Sequence, residues 1–126
     1  MFTIMKESAG PVVGIRAAGR LTDKDYRETL IPALEARFRE HGKLSLLIAF
    51  DPDFAGWDLE AMWDDAVFGL RHMADFERLA VVGGPEWVRV AVRLFSFLMK
   101  GEIRTFEADA IDDAWAWVRG AAQQAA

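Results

Sequence analysis

Leu44-Ser45-Leu46-Leu47-Ile48-Ala49-Phe50 is a continuous apolar run broken only by one small hydroxyl. A strand with one wet face alternates apolar and polar residues; an unbroken apolar strand is covered on both faces. Arg78–Val82 (R-L-A-V-V) reads as a second strand of this kind. Two such strands separated by a helical pattern imply a βαβ unit, so the chain is constrained toward an α/β fold with a largely parallel centre and right-handed crossovers.

The remaining segments fit around that centre. Phe2–Lys6 reads as a first strand, Gly10-Pro11 as a turn, and Val12–Gly19 as a strand antiparallel to the first. Thr22 and Asp25 have capping-box spacing, and Leu21 can staple onto Tyr26. A helix face of Tyr26, Leu30, Leu34 and Phe38 then runs to Gly42, with Pro32 predicted to kink or divide it near Ile31. Asp51–Gly56 reads as a loop. Asp58 is placed to cap helix 58–73, whose buried stripe is read as Leu59, Met62, Trp63, Ala66, Val67 and Leu70. Gly83-Gly84 forms a turn, with Pro85 opening helix 85–100. Ile103–Phe106 is the last strand, and a final helix, capped by Asp109, ends at Gly120. The order is β-β-α-β-α-β-α-β-α. At 126 residues this is one domain, 1–126, with a fraying tail at 121–126.

Helix 85–100 carries the strongest functional hint. Its only polar stripe is narrow: Arg89, Arg93, Ser96 and Lys100. A helix seated on one core needs an apolar arc of little more than about 100°. The excess needs a second apolar body: another helix, a subunit, a membrane surface or a lipophilic ligand.

Composition narrows the classes. The net charge of −5 argues against nucleic-acid binding, and zero Cys removes thiolate chemistry and Cys-ligated metals. No secretory signal and no apolar run long enough to span a membrane is present, so a cytoplasmic protein is expected. The spacings of Asp51, Asp53 and Asp58 and of His72 and Asp75 make no metal site. No serine has a glycine elbow or a neighbouring base. Gly83-Gly84-Pro85 matches no phosphate-binding motif. The chain is therefore read as non-enzymatic and without a cofactor.

The stretches 50–59 (F-D-P-D-F-A-G-W-D-L), 68–84 (F-G-L-R-H-M-A-D-F-E-R-L-A-V-V-G-G) and 101–117 (G-E-I-R-T-F-E-A-D-A-I-D-D-A-W-A-W), in this order, resemble the bacterial SpoIIAA-like family. That family lies in the STAS fold group and is related in shape to CRAL-TRIO lipid-transfer domains. The resemblance implies a STAS-like domain with a mixed five-stranded sheet, about four helices and an apolar pocket beneath mobile helices. STAS proteins that switch partners are phosphorylated on a serine in the loop after the third strand. The corresponding loop here, Asp51–Trp57, holds no Ser or Thr, so that function is not carried over.

Phe54, Trp57, Met62, Trp63, Trp87, Phe95 and Phe97 are the candidate ligand-binding residues, lining a groove between helices 58–73 and 85–100. Trp57, beside Gly56, is placed to act as its gate. Acids on the first helix (Glu60, Asp64, Asp65) and bases on the second (Arg89, Arg93, Lys100) are placed to bridge the two. The partner is a lipophilic small molecule or lipid, or a second copy of the chain in a homodimer burying the same face. Peripheral contact with a membrane stays open, as does the plain reading of an aromatic core.

Overall fold

A computed structural model describes residues 1–72, 74–98 and 100–125; the side chains of Phe95, Leu98 and residues 121–125 lie outside the described set. The chain enters as an antiparallel pair, β1 (Phe2–Ile4) and β2 (Val12–Ala17). A two-residue strand, β3 (Arg20–Leu21), leads into α1 (Asp23–Asp25), a π-helical turn at Tyr26–Leu30, and α2 (Ile31–His41). Then follow β4 (Leu44–Phe50), β5 (Gly56–Trp57), α3 (Leu59–Arg71), β6 (Phe76–Val82) and α4 (Glu86–Phe95). A 3-10 turn at Ser96–Leu98 precedes β7 (Glu102–Phe106), and a second one at Ala108–Ala110 opens α5 (Ile111–Ala125).

The main sheet has five strands in the order β1-β2-β4-β6-β7. β1 is antiparallel and the other neighbours are parallel, as the sequence predicts. β3 and β5 form a separate two-stranded parallel ladder, Arg20 opposite Gly56 and Leu21 opposite Trp57. Neither piece was expected as a strand; each is too short to show a period.

The monotonic strand order decides where the helices go. Each right-handed crossover moves the chain the same way across the sheet, so α2, α3 and α4 fall on one face. That face carries Val13, Ile15, Ala17, Leu44, Leu46, Phe50 and Val81, packed with Leu34, Phe38, Phe68 and Val88 from the three helices. The other face is covered by α5, through Ala114, Trp115 and Val118 against Val12, Leu47, Ala49, Ala80 and Val82. β4 supplies both faces, which is why its sequence shows no alternation.

Three helices on one face crowd it. Four parallel strands about 4.8 Å apart span roughly 14 Å. Three helices packed ~8–10 Å apart need roughly 16–20 Å between outer axes. The middle helix, α3, has α1, the π turn and β5 as its nearest backbone neighbours and reaches the core on this sheet face through Ala61 and Phe68. The stripe predicted as buried is consequently turned outward. Leu59, Met62, Trp63, Val67 and Leu70 are exposed, Trp63 to 72%, and the helix buries Ala61 and Phe68 instead. Periodicity finds an apolar face but does not say which way a crowded helix turns.

Other local predictions hold in altered form. Thr22 and Asp25 make the reciprocal capping box. Pro32 divides its helix as predicted, and the form of the break is the π turn before α2. Asp58 stands at the N-cap of α3, but its carboxylate pairs with Arg20. Helix 85–100 is not continuous: its α-helical part ends at Phe95. The last helix passes Gly120 and continues through the Ala/Gln segment to Ala125, residues with good helix propensity. Residue 126 lies outside the described residues. Among the described residues, no helix is long and apolar enough to cross a membrane.

Candidate functional site

A space remains between α3 and the sheet. A cavity of about 170 Å³ is walled by Ile15, Leu46, Ile48 and Leu79 from the sheet, by Tyr26, Leu30 and Leu34 from the π turn and α2, and by Asp65, Phe68 and Gly69 from α3. Trp57 and Phe50 also line it. An apolar cavity of about 150 Å³ is known to stay dry and accept benzene, so this space suits one ring or a short alkyl chain. A wider, open depression of about 390 Å³ lies between Ser8–Gly10 and the end of α2. It is rimmed by Arg37, Glu40 and His41 and has no apolar enclosure, so the smaller cavity is the candidate site.

Aromatic rings build the mouth of the cavity. Trp57 meets Phe54 edge-on at 5.0 Å and Phe50 at 6.0 Å between centroids. Trp87, at the start of α4, packs edge-on against Trp57 at 5.3 Å. Edge-to-face contacts of this kind add ~0.5–1.5 kcal/mol each beyond their burial. β5 fixes the backbone of Trp57, and Gly56 beside it has φ 108°, a left-handed conformation that a side chain would strain.

One polar chain enters this apolar wall. The indole Nε1 of Trp57 donates to the Tyr26 hydroxyl at 2.7 Å, and that hydroxyl donates to Asp65 Oδ1 at 2.9 Å. The direction is fixed: indole N–H is only a donor, so the tyrosine proton points to the carboxyl. Burial first, and then the nearby charge of Asp65, push the Tyr26 phenol well above its ordinary pKa, so it stays a donor. Asp65 is exposed as a residue, and the protein around its carboxyl at the cavity takes away only part of its water. That desolvation raises its pKa, and the Tyr26 hydrogen bond opposes the rise.

Asp64, the neighbour of Asp65, faces α1. Its pKa is raised to about 6, chiefly because it shares a hydrogen bond with Asp23, whose own is lowered. The oxygen Oδ2 of Asp64 is buried and finds no hydrogen-bond partner among the described residues. At the far end of α3, His72 is stacked on Phe38 with centroids 4.1 Å apart. Its ring nitrogens lie 2.9 Å from Glu35 Oε1 and 2.9 Å from Asp75 Oδ2. This ties α3 to α2 and to the entry of β6. No group of three or more such side chains among the described residues is arranged to hold a metal ion.

The residues predicted for the site separate into groups. Trp57 lines the cavity, and Phe54 and Trp87 pack on Trp57. Met62, Trp63 and Phe97 are exposed, Phe97 to 79%. The side chain of Phe95 lies outside the described set. Among the described residues, the predicted bridge between α3 acids and α4 bases does not form. Arg89 instead clamps Glu107 through two hydrogen bonds of 3.0 and 3.1 Å, while Asp64 and Asp65 face α1 and Tyr26. Gly83 spends its N–H on the Phe106 carbonyl. The sequence reading missed Tyr26 and Asp65. The available signal was spacing: Ala61, Asp65 and Phe68 share one helix face, so an acid stood beside the two positions that are buried.

Comparisons with known proteins agree with the architecture. A family model described as SpoIIAA-like matches residues 12–119. A crystal structure of an uncharacterised protein of the DUF3478 family, with a SpoIIAA-like fold, from Shewanella loihica PV-4, is similar at 30% identity. The match covers 93% of each chain, with a TM-score of 0.74. No curated protein matches the chain.

Proposed function

The chain belongs to the SpoIIAA-like family, and on that fold we propose that it binds a lipophilic small molecule in the apolar cavity beneath α3, with Trp57 at the mouth. The observation that carries this reading is the cavity itself: an apolar space lined by the sheet face, the π turn, α2 and α3. The groove predicted between helices 58–73 and 85–100 is thereby moved to the space between α3, α2 and the sheet. Trp57 and Trp87 are its link to α4.

The role is binding rather than catalysis. The walls place no nucleophile beside a base, and the loop Asp51–Trp57 holds no hydroxyl for phosphorylation. α3 rests on few partners, and helices of that kind open at low cost.

The exposed stripes of α3 and α4 favour a second reading, in which another copy of the chain covers them. Leu59, Met62, Trp63 and Leu70 on one helix and Val90, Leu94 and Phe97 beyond it form more apolar surface than a solvated face needs. Glu60 lies on α3 and Arg93 on α4, so a twofold contact that set α3 against the partner's α4 would bring opposite charges together.

Native mass spectrometry of the protein purified from bacteria tests both. A co-purifying small molecule on a monomer supports the cavity. A clean dimer mass without bound mass supports the second copy, and a bare monomer that takes up no added hydrocarbon contradicts the first reading.

A further inference from the structure

From the polar chain in the cavity wall we infer that the guest carries an ammonium group on its apolar body, and that Asp65 receives it. This rests on the cavity reading above and names the chemistry that the cavity selects.

Asp65 is the only ionisable carboxyl lining the cavity; its other lining residues are apolar, apart from the Tyr26 hydroxyl and the Trp57 indole N–H. Those two donors are already committed, Trp57 to Tyr26 and Tyr26 to Asp65 Oδ1. A guest therefore meets no free donor on these side chains. It meets one acceptor, the second oxygen of Asp65, which has no hydrogen-bond partner among the described residues.

Asp65 also has no basic partner. The ion pairs of the described residues place Arg20 on Asp58, Arg27 on Asp23, Arg78 on Glu102 and Arg89 on Glu107, and none reaches Asp65. Asp65 is exposed as a residue, so water solvates its charge while the cavity is empty, and a guest that enters displaces part of that water. A guest ammonium supplies the missing charge and fills the free oxygen. A guest carboxylate meets like charge and an acceptor instead. Fatty acids and aryl acids are thereby disfavoured, although the walls suit their chains.

The Tyr26–Trp57 pair positions the acceptor. Because the indole N–H can only donate, it turns the tyrosine proton onto Oδ1, which leaves Oδ2 without a hydrogen-bond partner among the described residues.

Isothermal titration calorimetry of the full chain at pH 7 tests this with three probes of one shape: 2-phenylethylamine, ethylbenzene and 3-phenylpropionate. A charge-assisted hydrogen bond predicts that the amine binds about tenfold or more tighter than ethylbenzene. The acid is expected to bind more weakly than ethylbenzene. Asp65→Asn is expected to bring the amine to within about threefold of ethylbenzene while ethylbenzene itself binds as before. If ethylbenzene binds but the amine is no tighter, or if Asp65→Asn keeps the full preference, the ammonium inference is overturned and the cavity reading stands. If none of the three binds, both are overturned. The three-probe comparison in the unaltered chain decides the matter even should Asp65→Asn fail to fold.

Discussion

Trp57 and Tyr26, 31 positions apart in sequence, are joined by a 2.7 Å hydrogen bond from the indole nitrogen to the phenolic oxygen. The bond ties β5 to the π turn and sets the direction of the hydrogen bond that Tyr26 makes to α3. Tyr26→Phe leaves the ring but removes an acceptor from Trp57 and a donor from Asp65. An orphaned buried partner costs ~1–3 kcal/mol, and that loss is expected in urea denaturation. Trp57 emission is expected to change in a chain whose other four tryptophans are Phe. An unchanged midpoint and spectrum would mean that the bond is not formed in solution.

Asp64 makes the fold more stable on the acid side of neutrality. Its pKa rises from the ordinary 3.8 to about 6 on folding, because it shares a hydrogen bond with Asp23. Between those values the native state holds the proton more tightly than the unfolded chain, so stability falls as pH rises from about 4 to about 6. The raised Asp65 acts in the same direction. The lowered Asp23 and Asp25 act oppositely, but below 3.8. Thermal unfolding at stepped pH is expected to show this fall, and Asp64→Asn is expected to flatten most of it. A melting temperature that rises through this window would contradict the shared proton.

Gly14 in β2 is required by Trp115. A Cβ at Gly14 would stand 2.3 Å from Cη2 and 2.6 Å from Cζ2 of that indole. Trp115 is buried between α5 and the sheet, so it has little room to move. Gly14→Ala is expected to cost ~1–3 kcal/mol by overpacking. Adding Trp115→Phe should recover part of the loss, and a double-mutant cycle measures the coupling.

Trp63 tests the orientation of α3. With 72% of its surface exposed, Trp63→Glu is expected to change monomer stability by no more than about 0.5 kcal/mol. A sharp fall in melting temperature, measured where the chain is monomeric, would return Trp63 to the buried stripe that periodicity alone suggests.

Much of the architecture was legible because each strand and helix carries local signals. Leu44–Phe50 had to be covered twice, Thr22 and Asp25 had to cap, and Gly42 had to stop α2, which it does with φ 80°. The rotation of α3 was not legible, because it follows from three helices competing for one sheet face. Nor was the site, since its parts come from distant places. Glu35 reaches His72 across 37 positions, and Tyr26 reaches Asp65 across 39. Asp65 looked like one of several surface acids until its neighbours Ala61 and Phe68 proved to be the inward face.

The central claim is that the space beneath α3 is an apolar cavity that admits a guest. Methyl-resolved NMR under xenon pressure tests it most directly, because xenon enters dry apolar cavities without regard to head-group chemistry. The predicted result is a saturable shift of the Ile15, Leu30, Leu34, Leu46, Ile48 and Leu79 methyls, which line that space, with Leu59, Leu70 and Leu94 on the outer faces unmoved. Shifts confined to the outer leucines, or none at all, would contradict it.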